Sequence, residues 1–182
     1  MRDHDSVPAI RRLTTAEASA GLLLEMRRLL DHAFDGDFSD EDWEHTCGGW
    51  HLIVSDGCLV AHAAVVPRVL TVADQPFHTG YVEGVATLGA RQGEGLGSLV
   101  MVEAGRVVRD EFALGALSTA RHTFYERLGW ECWRGPTFVR LGSTMIRTED
   151  EDDGVMVLRY GESRDLDLTA PISCQARAGD DW

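Results

Sequence analysis

Apolar positions change period along the chain, and the changes mark out its elements. Residues 8–13 are read as a short opening strand. Between Ala18 and Phe34, the residues Leu22, Leu23, Met26, Leu29, Leu30 and Ala33 recur at the spacing of one helix face. A second, short helix is predicted after Ser39, an N-cap residue with Asp42 three positions on, and it stops at Gly48-Gly49. "WHLIVSDGCLVAHAAVVP" (50–67) then reads as two strands turned at Ser55-Asp56-Gly57. A further strand pair is predicted over Val69–Val72 and Phe77–Thr87. Within "YVEGVAT", alternation puts Tyr81, Glu83 and Val85 on one face and Val82 and Ala86 on the other. Gly84 in mid-strand signals a bulge or a close ligand approach.

Helical spacing returns at Leu96, Leu99, Val100, Val107 and Val108. Beyond it, "LGALS" (114–118) reads as a short buried strand and "TARHTFYERLGW" (119–130) as a helix that stops at Gly129. "WECW" (130–133) and "TFVRLG" (137–142) look like strands. An acidic run at 149–153 interrupts before "VMVLRY" (155–160) resumes. Strands alternate with helices, but hairpins intervene, so a mixed α/β (α+β) sheet fits better than a fully parallel one. No repeat or linker divides the chain, and residues 1–182 are expected to form one domain.

The turn between the strand ending at Thr87 and the helix from Leu96 carries glycines at 93, 95 and 97. The third falls one residue too early for a dinucleotide fingerprint. The spacing does match Gln/Arg-x-x-Gly-x-Gly/Ala, as Gln92-Gly93-Glu94-Gly95-Leu96-Gly97. Before a helix, such a loop aims several backbone N–H groups at one point, reinforced by the positive end of the helix dipole. It is read as an anion cradle.

Composition narrows the chemistry. The formal charge of −13 argues against a nucleic-acid partner and fits a cationic one. All 17 basic residues are arginine, which excludes a P-loop lysine and a lysine Schiff base. Cys47, Cys58, Cys132 and Cys174 form no CxxC pair, and the seven histidines show no metal-binding spacing, so no metal is expected. The start has no apolar signal segment and no stretch approaches a membrane span, so a cytoplasmic protein is expected. No GxSxG elbow or paired Cys-His motif points to a covalent nucleophile. Glu83 lies in an otherwise apolar strand, where an unpaired buried carboxylate costs several kcal/mol, so it should face a cleft or a cation.

"VEGVAT…QGEGLGSLV", followed by "LGALS" and "FYERLGW", resembles the GNAT acetyltransferases, which bind acetyl-CoA. More narrowly, "GDFSDEDWEHTCGG", "AHAAVV", "GYVEGVA", "LGALS", "DDG" and "AGDDW" together resemble an aminoglycoside 2′-N-acetyltransferase, from about Phe34 to Trp182. The resemblance implies a mostly antiparallel twisted sheet, splayed where acetyl-CoA binds. The backbone of Val85, Ala86 and Thr87 would pair with the pantetheine arm. Gln92, Gly93, Glu94, Gly95, Leu96, Gly97 and Ser98 would hold the pyrophosphate, and a backbone N–H near Val85 would polarise the acetyl carbonyl.

For catalysis the resemblance implies Tyr125 as the acid beside the sulfur; of the two adjacent aromatics in "FYERLGW", Phe124 is the better core candidate. Glu83 becomes the base, acting through water. It further implies Asp37, Glu83, Gly84, Ser118, Asp152, Asp180 and Trp182 as contacts of a cationic aminoglycoside. The segment "AGDDW" would pack back over the acceptor cleft. Trp50 stands where relatives carry methionine; lining the pocket, it would narrow the range toward a two-ring drug such as kasugamycin. A homodimer is expected by analogy with the family alone. The competing expectations are a GNAT enzyme acting on a peptide N-terminus, a polyamine or a cell-wall aminosugar, and a module that only sequesters drug.

Overall fold

The computed structural model of the chain describes residues 9–182. The opening strand is β1 (Ile10–Thr14); position 8 lies outside the described residues. In α1 (Ala20–Ala33), Ser19 caps the helix by accepting from the Leu22 N–H, and Met26, Leu29 and Leu30 form the buried stripe. α2 (Asp40–Thr46) carries the expected capping box: the Ser39 hydroxyl accepts from the Asp42 N–H, and the Asp42 carboxylate accepts from the Ser39 N–H.

β2 (Trp50–Asp56) and β3 (Cys58–Val72) form the hairpin turned at Gly57. β3 does not stop at Pro67. Its outer edge pairs with β2 as far as Val65 and with the late strand β10 (Ile172–Gln175) only around Thr71 and Val72, so no neighbouring strand meets the proline there. β4 (Gln75–Thr87) returns along the other edge of β3. After the glycine loop come α3 (Leu96–Glu111), β5 (Leu114–Ser118) and α4 (His122–Glu126). The last strands are β6 (Glu131–Cys132), β7 (Thr137–Leu141), β8 (Thr144–Arg147) and β9 (Val155–Leu158).

Among the described residues, ten strands join one sheet in the order β6-β9-β5-β4-β3-β10-β7-β8, with β2 and then β1 attached to β3. Only β4/β5 and β10/β7 are parallel. α3 covers one face, packing Val100, Met101, Ala104, Val107 and Val108 against Ala61, Ala63, Val65 and Val82. α1 covers the other near Ile53, Leu59 and Ala86. A third cluster around Leu70, Phe77, Trp133 and Ile172 runs across the sheet from β9 to β7. Truncating a fully buried side chain such as Met101 or Leu30 to alanine costs roughly 2–5 kcal/mol.

The feature that makes a site is a separation. β4 and β5 pair only over Thr79–Tyr81 against Leu114–Ala116. Past those residues they have no pairing, and the edge of β4 from Val82 to Thr87 faces open space. Among the described residues no helix is long and apolar enough to cross a membrane.

Candidate active site

The space between the diverging strands is a cleft of roughly 1050 Å³ that runs from the glycine loop to α1, α2 and the end of the chain. At its first end, Gly93 and Gly95 hold φ of +83° and +81°, a backbone that L side chains rarely adopt, and a Cβ on either would meet nothing within 4 Å. The glycines are therefore required by the turn, and the space before them is free. Gly95 is the N-cap of α3 and offers no side-chain cap, so the first N–H groups of the helix are left for a ligand. Arg91 braces the loop through Glu94 and Asp56. Arg121 and Arg127, from the α4 segment, line the cleft with Gln92, Gly93, Gly95, Leu96, Gly97 and Ser98. This end fits an extended anion.

Phe124 and Tyr125 project from α4 into the same cleft and meet edge to face, with ring centroids 4.9 Å apart. The expectation that Phe124 is the core member reverses, because Tyr125 is the more buried of the two. Burial pushes the Tyr125 hydroxyl up to about 12, against the opposing effects of Arg121 and Thr119, so it stays protonated at neutral pH.

Midway along the cleft, β4 bulges at Gly84. Glu83 is opposite Ala64 but Ala86 is opposite His62, so β4 carries one extra residue. The slip overturns the strict alternation expected here: Val85 joins Val82 on the α3 side, and Ala86 faces α1. Only glycine fits, since φ is +56° and a Cβ would approach the Thr46 methyl to 2.8 Å.

The bulge leaves the Gly84 carbonyl to a side chain. His62 Nδ1 lies 2.7 Å from it, His62 Nε2 lies 2.9 Å from His51 Nδ1, and His51 Nε2 lies 2.9 Å from the Thr15 hydroxyl. A carbonyl only accepts, so the direction of every bond is fixed. His62 donates to Gly84, His51 donates to His62, and Thr15 donates to His51. Both rings are fully buried and neutral. Burial lowers His51 to about 4 and His62 to about 3.

The second end is acidic. Asp37 and Asp42 reach it from the α1–α2 segment, where Asp35 and Gly36 both take positive φ to turn the chain. Glu83 and Gly84 come from β4, Ser118 from the end of β5, and Asp180 and Trp182 from the tail. The tail is packed back as expected: Trp182 is 3% exposed, and its indole N–H has no partner among the described residues. His45 of α2 donates to the Ala178 carbonyl, and Arg68 donates to the Asp181 carbonyl. Glu83 is not free. Arg177 Nη1 donates to its carboxylate at 2.8 Å, a contact that nothing local in the sequence announces. Burial raises the Glu83 pKa, while Arg177 and then Arg68 act the other way.

Two expectations fail on position. Asp152 does not line the cleft; its carboxylate is taken by Arg147 and by the backbone and hydroxyl of Thr137, which hold it well below the usual range. The acid of that run that turns toward Ser118 and Asp180 is Glu151, raised by burial and next by Asp180. Trp50 does not line the cleft either. Its indole donates to Glu111 and Arg12 stacks on it, 4.3 Å from the ring centre, so it cannot narrow the pocket. Among the described residues no group of three or more His, Cys, Asp or Glu is arranged to hold a metal ion.

Comparison with known proteins agrees with this geometry. Residues 10–133 match the acetyltransferase (GNAT) domain. The chain is 46% identical over 162 residues to an aminoglycoside 2′-N-acetyltransferase from Mycolicibacterium fortuitum, covering 86% of this chain and 83% of that protein. Among solved structures, a GNAT N-acetyltransferase from Escherichia coli in complex with CoA superposes with a TM-score of 0.63 at 17% identity, covering 94% of this chain and 93% of that one. A GNAT acetyltransferase from Brucella melitensis in complex with acetyl-CoA gives a TM-score of 0.60 at 16% identity, covering 91% and 96%. The open sheet, the glycine cradle at the head of α3 and these likenesses together make the chain a member of the GNAT acetyltransferase family.

Proposed function

We propose that this protein transfers the acetyl group of acetyl-CoA to the 2′-amine of an aminoglycoside, by direct attack of the amine. The observation that carries this reading is the division of one cleft into two ends of opposite chemistry. Arg91, Arg121, Arg127 and the glycine loop surround one end, while Asp37, Asp42, Glu83 and Asp180 surround the other. An anionic, extended co-substrate suits the first and a polyamine sugar the second.

Bound acetyl-CoA supplies an acetyl group already activated as a thioester. The chain's own groups do the rest. Gln92 to Ser98 would hold the pyrophosphate on backbone N–H groups, and the free edge at Val85, Ala86 and Thr87 would hold the pantetheine arm. The N–H near Val85 would stabilise negative charge developing on the carbonyl oxygen. Glu83 would take the proton of the attacking amine through water, and the Tyr125 hydroxyl would donate to the leaving sulfur. Asp37, Gly84, Ser118, Asp180 and Trp182 would hold the sugar, with Glu151 serving where Asp152 was expected.

The test is thiol release from acetyl-CoA across aminoglycosides that carry a 2′-amine, matched analogues with a 2′-hydroxyl, and kasugamycin. Release with the 2′-amines alone, and a single acetyl group located on that nitrogen by NMR, is expected. Release with a polyamine or peptide N-terminus but with no aminoglycoside would overturn the reading.

A further inference from the structure

The cation that meets Glu83 belongs to the protein itself. Arg177 spreads one guanidinium over three acceptors: Nη1 on Glu83 Oε1 at 2.8 Å, Nε on the Asp180 carbonyl at 2.6 Å and Nη2 on the Trp182 oxygen at 3.5 Å. Its own N–H donates to Asp181 Oδ1 at 2.8 Å, and its guanidinium lies 5.8 Å from the Tyr81 ring centre. The ion pair is largely withdrawn from water, with side chains 17% and 16% exposed. A planar fork with several fixed donors makes this three-way contact possible; an ammonium could not reproduce it.

We propose that Arg177 is a positioning residue for acetyl transfer, which keeps Glu83 in its charged form and ties the segment 178–182 to it as one unit. This rests on Glu83 being the base, as argued above. A carboxylate this far from water would take up a proton if left unpaired, and a protonated Glu83 cannot accept one from the amine. The groups facing it are few. Arg177 and, more weakly, Arg68 favour its charged form, and Asp180 opposes it. The Tyr81 phenol beside it is buried and neutral, as is the Cys174 thiol behind Tyr81. His45, which faces Arg177 from α2, is lowered by burial and then by Arg177, so it carries no charge at neutral pH. Glu83 therefore depends chiefly on one guanidinium.

The experiment is the pH profile of kcat/KM for the wild type and for Arg177→Met, Arg177→Lys and Glu83→Gln. Removing the guanidinium should move the acid limb upward by about one unit or more, with activity recovering at high pH. Lysine should return the limb most of the way while leaving the aminoglycoside KM raised, because the charge is restored and the contacts to the tail are not. A residue that only supports the fold would lower activity evenly across pH. An acid limb that stays in place in a folded Arg177→Met enzyme, but vanishes in Glu83→Gln, overturns the proposal and leaves the base intact. A limb that survives Glu83→Gln removes Glu83 as the titrating base, and the proposal with it. Should the methionine variant not fold, a ¹³C titration of the wild-type carboxylates, assigned with Glu83→Gln, reads the same quantity. Glu83 charged at the pH where the enzyme is most active is expected; Glu83 protonated there overturns the proposal.

Discussion

The two buried histidines should make the protein acid-sensitive in a window that its carboxylates do not explain. His51 and His62 are held neutral, at about 4 and about 3, whereas a histidine in the unfolded chain titrates near 6.5. The sign follows from linkage. Between those limits the unfolded state binds more protons, so stability is full above about pH 7.5 and falls as pH falls. At pH 5.5 each unfolded imidazole is mostly charged and each folded one is not. The loss is about 1.4 kcal/mol per ring, or about 3 kcal/mol for the pair. With a urea dependence of about 2 kcal/mol per molar, the unfolding midpoint should drop by about 1.5 M between pH 7.5 and 5.5. Glu83 and Glu151, raised by burial, work in the opposite direction, so the informative quantity is a difference. The double variant His51→Gln, His62→Gln keeps a donor and an acceptor at each position but cannot titrate. Urea unfolding of both proteins at the two pH values makes the measurement. If the wild type loses no more stability than the double variant, the rings are not held neutral and the chain of bonds from Thr15 to Gly84 is directed wrongly.

Three further outcomes are expected. Gly84→Ala should cost roughly 2–4 kcal/mol, from a positive φ and from a Cβ 2.8 Å from the Thr46 methyl. Adding Thr46→Ser, which removes that methyl and keeps the hydroxyl bonded to the Trp43 carbonyl, should recover about half in denaturant unfolding. Gly95→Asp should weaken acetyl-CoA by more than tenfold, about 1.4 kcal/mol or above by calorimetry, because it sets a carboxylate where a pyrophosphate would lie. Tyr125→Phe should lower kcat by roughly a hundredfold with both affinities retained. In the wild type, a phenol at about 12 should give kcat no basic limb of its own through pH 10, which a stopped-time pH series would check.

Much of the fold was legible because it is written locally. α1, α2 and α3 follow from apolar spacing and from Ser19, Ser39 and the glycines before Leu96. The parts that escaped depend on distant partners. β10 is four residues long and exists because β7 and β3 flank it, and β8 shows no buried face to betray it. α4 shrank to five residues, its entry shaped by the Thr119 hydroxyl accepting from the Arg121 N–H. The anion cradle and the carboxylate-bearing segments could be located, yet not which acid of 149–153 turns inward. That is decided by Arg147, five residues before Asp152, and by Thr137 of β7, which together claim its carboxylate. Arg177 is 94 residues from Glu83, and no local pattern connects them. The histidine pair did leave a trace: two polar residues on opposite arms of a largely apolar hairpin, in a register that makes them diagonal neighbours, His51 opposite Ala64 and His62 opposite Ile53.

The parting of β4 from β5 also concerns how long the protein lasts. A sheet with a gap in its middle has left one strand's worth of hydrogen bonds to water, and its two halves are joined by three residue pairs. Whatever fills that gap acts as part of the fold. A ligand at a hundred times its dissociation constant adds about 2.7 kcal/mol to stability, enough to raise the melting temperature of a chain this size by roughly 5–10 °C. Unfolded molecules are what proteases remove, so the standing amount of the protein in a cell should rise and fall with the supply of the ligand that completes its sheet.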